Sequence, residues 1–328
     1  MIHLNALLAL AAALLWGGAD FSGGMGVGAA GGKTGSALRV VMLSHISSFS
    51  VLLAIVLLRR EPMPHGALLA WGLLAGFCGG VSLTCFYMAL SRGAMGASAA
   101  VSGLLAAAIP AFFSMSVEGV PSPLRIAGFL LAATAIWLIA AGPSHQPAAG
   151  PSRQHAARST MLLATIAGIG FGIYFVALRM ANPLGIFMPM ALARVGSLIT
   201  CGLAFLFLAS RDTTTRGDPS SARSLRLTGA PGGRFLPAGV AWWAFAGKMT
   251  GRAVLWALAA GTLDTTGNLL FIAATRAGRL DVAAVLASLY PASTIVLAGW
   301  LLHERLARRQ WLGIGVAACA VVMITLRP

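Results

Sequence analysis

Ten apolar runs, each close to twenty residues long, recur along this chain, and about twenty is the length a helix needs to cross roughly 30 Å of hydrocarbon. Their limits are 4 to 22, 36 to 58, 67 to 90, 95 to 116, 124 to 141, 160 to 179, 185 to 209, 252 to 275, 281 to 302 and 310 to 326. In lipid every backbone amide must be satisfied within its own segment or a closed barrel, and runs of this length choose the helix. The expected fold class is an all-α integral membrane protein with ten transmembrane helices. Composition agrees, since 58% of the 328 residues are hydrophobic, 9% are charged and mean hydropathy is +0.85. The balance of 23 basic to 8 acidic residues gives a net charge of +15, which in a soluble protein would suggest nucleic acid. Here the basic residues sit in short breaks between apolar runs, where flanks of spanning helices carry them, so no nucleic-acid partner is expected.

Cys78, Cys85, Cys201 and Cys319 all lie inside apolar runs without metal-ligand spacing, and read as small packing residues. No basic segment precedes the first run, so it reads as a retained span and not a cleaved leader. Two longer polar gaps divide the chain. Residues 142 to 158 form a linker near mid-chain, between units at 1 to 141 and 159 to 328. Residues 211 to 250 form a long polar loop that ends in the aromatic group Trp242, Trp243 and Phe245. Flanking charge does not select an orientation. Without the long loop the two sides balance, and with it the bias favours an external N-terminus.

The two units resemble one another. Trp71 and Gly76 align with Trp256 and Gly261 at an offset of 185, while Trp16, Gly17 and Arg39 align with Phe171, Gly172 and Arg194 at an offset of 155. Five spans per unit is an odd number, so the second unit runs through the membrane in the opposite sense. Two inverted five-helix repeats of this kind place a substrate site near the midplane, where the repeats meet.

Several motifs lose their usual meaning in this setting. Gly26 to Gly31 matches GxGxxG, but no strand precedes it, and it reads as a helix end and turn. Gly72, Gly76 and Gly80 on the third span, with Gly168 and Gly172 on the sixth, are spaced for close helix approach, either inside the bundle or across a homodimer. Glu118 and His303-Glu304-Arg305 end two spans and read as interface caps and salt bridges, or as a gate. No metal or cofactor motif and no hydrolase constellation such as HExxH or GxSxG occurs, so an intramembrane enzyme is not expected.

Ionisable residues at membrane depth are the stronger signal, because their cost keeps them facing a bundle interior or a water-filled cavity. Asp20 and Asp264 are the acidic residues well inside spans, and Asn268 lies one turn from Asp264 on the same helix face. Each carboxylate could carry a proton, or serve only as a hydrogen-bond acceptor. Arg39 and Arg194 could compensate these charges or a substrate carboxylate, or snorkel to headgroups. Tyr290-Pro291 and Ala108-Ile109-Pro110 interrupt two spans, with Ser288 and Ser102 placed to satisfy freed carbonyls. Trp16, Tyr87 and Tyr290 are candidates to line a cavity and stack on a ligand. Asp264 aligns with Gly79, so the carboxylate is an asymmetric addition to a repeated scaffold.

Leu15-Trp16-Gly17, Ala274-Thr275-Arg276-Ala277-Gly278, Ser288-Leu289-Tyr290-Pro291 and Leu302-His303-Glu304-Arg305-Leu306, followed by Gln310 and Gly313, resemble the EamA-type drug/metabolite transporters. The resemblance spans both units and is strongest from Gly261 to Gly313. It implies ten helices in two inverted repeats, a central cavity, cytoplasmic termini, and movement of small metabolites across the cytoplasmic membrane, often outward. The expected function is secondary active transport of a small metabolite or drug-like molecule by alternating access, with proton coupling as an option. A membrane receptor or assembly factor that uses the same bundle only to bind is the alternative. The expected partners are the lipid bilayer and a small-molecule substrate.

Overall fold

The computed structural model describes residues 4–32, 34–91, 95–140, 151–215, 249–301 and 306–326. The described residues form eleven α-helices: α1 (Leu4–Ala29), α2 (Thr34–Leu58), α3 (Gly66–Ser91), α4 (Met95–Val117), α5 (Pro123–Ala140), α6 (Pro151–Met180), α7 (Phe187–Thr215), α8 (Gly251–Ala277), α9 (Leu280–Ala287), α10 (Tyr290–Leu301) and α11 (Arg308–Thr325). A short 3-10 turn, Asn182–Leu184, joins α6 to α7. Eight segments among the described residues are long and apolar enough to span a membrane, with α9 and α10 together counting as one, Leu280–Leu301. Pro123–Ile139 is a shorter apolar helix, and α11 packs along it.

The differences from the sequence-based limits have local causes. The first helix continues nine residues past Asp20, because its glycines pack on other helices and are not left as a turn. A Cβ at Gly26 would stand 3.3 Å from Cβ of Trp256 on α8. Asp20 therefore lies inside α1. The polar stretch 142 to 158 is helical from Pro151, and 211 to 215 extend α7; most of the 211 to 250 loop, with Trp242, Trp243 and Phe245, lies outside the described residues. Gly26 to Ala29 close α1, and Gly31 and Gly32 turn with positive φ, 100° and 69°. His303, Glu304 and Arg305 also lie outside the described residues.

The two prolines behave differently. Helix α4 runs through Pro110 without a break, contrary to the sequence-based interruption. The ninth span does break. Its α9 half ends at Ala287, two residues intervene, and α10 begins at Tyr290 with Pro291 in its first turn, where a missing N–H costs nothing. Oγ of Ser293 donates 2.8 Å bonds to the carbonyls of Tyr290 and of Ala13 on α1, which ties the restart to the first helix.

Helices α1 and α8 lie along each other, α3 and α4 pack on α6, α3 packs on α7, and α2 packs on α7 and α8. Glycine sets these distances. A Cβ at Gly80 would come within 2.8 Å of Oγ of Ser197 on α7, and one at Gly168 would meet Cα of Ser102 on α4 at 2.8 Å. Both glycine series are thus used inside the bundle, and they offer no face to a second copy. Gly261 packs against α2, where a Cβ would sit 2.6 Å from the carbonyl oxygen of Ser44. Since that obstacle is backbone, Gly261→Val should destabilise by about 1–3 kcal/mol through overpacking. Thermal unfolding in detergent reads this as a lowered midpoint, and an unchanged midpoint would contradict the close approach.

Candidate functional site

One cavity gathers Asp20, His45, Arg194 and Asp264 from four of the spans. Its lining includes Trp16 and Asp20 from α1, His45 from α2, Leu83 and Phe86 from α3, Ala106 from α4, Phe171, Tyr174 and Phe175 from α6, Arg194 and Ser197 from α7, Asp264 and Asn268 from α8, and Tyr290 from α10. Its volume is about 60 Å³, enough for a few waters.

Asp264 is the middle residue of α8, and its carboxylate forms an ion pair with Nη2 of Arg194. The same nitrogen donates 2.8 Å to Oγ1 of Thr265. Nδ2 of Asn268 donates to the backbone carbonyl of Asp264 at 2.8 Å and to its Oδ1 at 3.1 Å. Oδ1 of Asn268 in turn accepts a 2.7 Å bond from the Tyr174 hydroxyl. A chain Arg194–Asp264–Asn268–Tyr174 therefore links α7, α8 and α6. The arginine is 4% exposed, and a guanidinium so buried needs a partner to offset lost hydration. One turn along α7 from Arg194, Oγ of Ser197 lies 2.7 Å from Nδ1 of His45, whose Nε2 is buried without a hydrogen-bond partner.

Aromatic rings form the rest of the wall. Trp16 stacks on Phe175 at 5.2 Å between centroids with 8° between planes, and meets Tyr290 edge-on at 6.5 Å. Phe86 sits edge-on to Phe171 at 5.9 Å and to Tyr290 at 6.4 Å. The Tyr290 hydroxyl lies 3.2 Å from Oγ of Ser102, so Ser102 bonds across the bundle to α10.

Of the sequence candidates, Trp16, Asp20, Arg194, Asp264, Asn268 and Tyr290 come together here, and Arg39, Tyr87 and Ser288 do not line the cavity. Arg39 is partly exposed on α2, six residues before His45. Tyr87 is buried with its hydroxyl against Gly23, so its ring serves the α1–α3 contact. Ser288 is buried at the α9–α10 break. His45, Ser197 and Tyr174 were missed by the sequence reading. The signal for His45 was present, because an ionisable ring inside a span falls under the same reasoning as Asp264. Tyr174 is one of three tyrosines and carries no motif.

A second polar cluster lies at one end of the bundle. Glu118, after α4, pairs with Arg179 of α6 at 3.0 Å, accepts from Oγ of Ser114 at 2.7 Å, and accepts from the backbone N–H of Leu280 at 3.2 Å. Arg279 donates to the carbonyls of Glu118 and Gly119 at 2.9 and 2.7 Å, and pairs at 2.7 Å with Asp281, whose side chain is fully buried. Glu118 thus acts as a salt-bridging cap, joined to the start of α9. Asn5 of α1 packs against Gly278 nearby, so the chain's first helix starts at this same end.

No curated protein matches the chain. A solved crystal structure, described only as that of a protein, is similar over 98% of this chain and 96% of its own, with a TM-score of 0.62 at 16% identity, which is a likeness of fold alone. The model of the EamA-like transporter family matches residues 158–326, a little over half the chain. The chain is a multi-pass membrane protein that belongs to the EamA-like transporter family.

Proposed function

We propose that this protein moves a small molecule across the cytoplasmic membrane as a secondary transporter working by alternating access. The observation that carries the reading is the Arg194–Asp264–Asn268–Tyr174 chain, held at mid-helix beside a cavity that both halves line. Polar groups at this depth are costly, so their presence marks a path or a ligand site. We assign residues 1 to 141 and 159 to 328 to two inverted repeats. Exchanging the halves turns the α1–α8 contact into α6–α3, and α2–α8 into α7–α3, all of which occur. The repeat-equivalent glycines Gly76 and Gly261 also meet α7 and α2, themselves equivalents. A cavity between such repeats reaches alternate faces when one repeat rocks against the other.

Proteoliposome flux tests this. A ligand found by thermal stabilisation against a metabolite library should accumulate or exit in response to an imposed gradient. Asp264→Asn should lower that flux at least about tenfold, the effect of losing a charge-assisted bond worth about 1.5–3 kcal/mol. Saturable binding with no gradient-dependent flux would instead make the protein a receptor. Unchanged flux in Asp264→Asn would remove Asp264 from the mechanism.

A further inference from the structure

Charge bookkeeping inside the cavity goes further than the reading above, on which this inference rests. Three charged side chains line it: Asp20, Asp264 and Arg194. Nη2 of Arg194 pairs with Asp264, whose second oxygen takes the Asn268 amide. Asp20 accepts no hydrogen bond and makes no ion pair with any described residue, although it lines the same cavity. A carboxyl group in a membrane interior holds its negative charge only beside a cation, and otherwise keeps a proton. A second, independent feature points to a ligand. His45 is 2% exposed, lines the cavity, and leaves Nε2 without a partner. When Nδ1–H donates to Ser197, that nitrogen is an acceptor lone pair, able to take an N–H from a ligand. The other walls include the rings of Trp16, Phe86, Phe171, Phe175 and Tyr290, a ring type that attracts cations and covers apolar surface.

We infer that the cavity, once widened beyond its present volume of about 60 Å³, takes a small organic ammonium ion with an apolar, preferably planar body, its N–H groups bound by Asp20 and by Nε2 of His45. Arg194 engages Asp264 and Thr265 through Nη2 alone and keeps a buried, unpartnered Nε, so the test must include an acid. The pairing with Asp264 disfavours a carboxylate ligand.

The test uses three probes of one shape: 2-phenylethylamine, 2-phenylethanol and phenylacetate, each titrated calorimetrically into purified protein in detergent at neutral pH. The expected result is that the amine binds at least about tenfold more tightly than the alcohol, with phenylacetate weakest. Asp20→Asn should reduce the amine to the affinity of the alcohol, and Asp20→Glu should keep the preference. Phenylacetate binding as tightly as the amine, a preference that survives Asp20→Asn, or no binding of the amine would each overturn the inference. Should Asp20→Asn fail to fold, the ranking in the unaltered protein decides alone. The same probes in proteoliposomes separate the two readings. Amine binding without flux would sink the transport reading and leave the cation site standing, whereas flux of phenylacetate in preference to the amine would do the reverse.

Discussion

Replacing Arg194 with alanine should be the most damaging single change in the cavity. The carboxylate of Asp264 would remain, with its side chain 22% exposed to the cavity and no cation beside it. Breaking one partner of a buried pair costs about 3–5 kcal/mol, and because Asp264 touches the cavity the lower end applies. Thermal unfolding in detergent should show the lowered midpoint, and flux should fall below detection. The double variant Arg194→Met, Asp264→Leu separates stability from function. Removing both members of the pair strands neither, so its midpoint should recover toward that of the unaltered protein, while flux stays absent. Restored flux in the double variant would show that the pair serves only the fold.

The cluster at Glu118 should respond to mutation by changing which face the cavity meets. Its contacts join α4 and α6 to the α8–α9 junction, so rocking one half against the other must break them. Glu118→Ala removes the acceptor that Arg179 and the N–H of Leu280 share. If these bonds exist only when this end is closed, their loss shifts the equilibrium by about 1.5–3 kcal/mol, or ten- to a hundredfold, toward opening. Hydrogen–deuterium exchange resolves this at the Leu280 amide, bonded to Glu118, and at the Val282 amide, bonded to Asp281. Leu280 should exchange ten- to a hundredfold faster in the variant. Unaltered protection would mean that packing, and not the carboxylate, holds this end shut.

Much of this protein is readable from its sequence because the membrane restricts the choices. Run lengths gave the helices, since hydrocarbon thickness sets a length that loops cannot meet. The end of α1 was misplaced because glycine signals a turn in water but a close contact in a bundle, as Gly26 against Trp256 shows. Pro110 and Pro291 carry the same local signal, and only the second breaks its helix. There, Ser293 and the α1 carbonyl of Ala13 stabilise the restart, a tertiary contact without a trace in sequence.

At the site, ionisable residues declared themselves by their cost, and Asp264, Asn268, Asp20 and Arg194 meet as that argument suggests. Arg39 shows its limit, since repeat equivalence with Arg194 fixes position in a scaffold and not the partner. Arg194 finds Asp264 on α8, whereas the aligned position in the other half is Gly79. Tyr174 and Ser197 escaped because hydroxyls inside spans are common, and only the fold shows which of them face Asn268 and His45.

The claim that everything else depends on is that this cavity communicates with one face of the membrane at a time. Phe171 lines it on α6 and is only partly buried, which suits it to report access. In a background with Cys78, Cys85, Cys201 and Cys319 replaced by alanine, Phe171→Cys would be labelled with a membrane-impermeant maleimide from each face of oriented vesicles. With the Glu118 cluster intact, labelling should come from the face opposite the start of α1, and adding Glu118→Ala should move it to the face where α1 begins. Labelling from both faces at once, or from one face unaffected by Glu118→Ala, would contradict alternating access through this cavity.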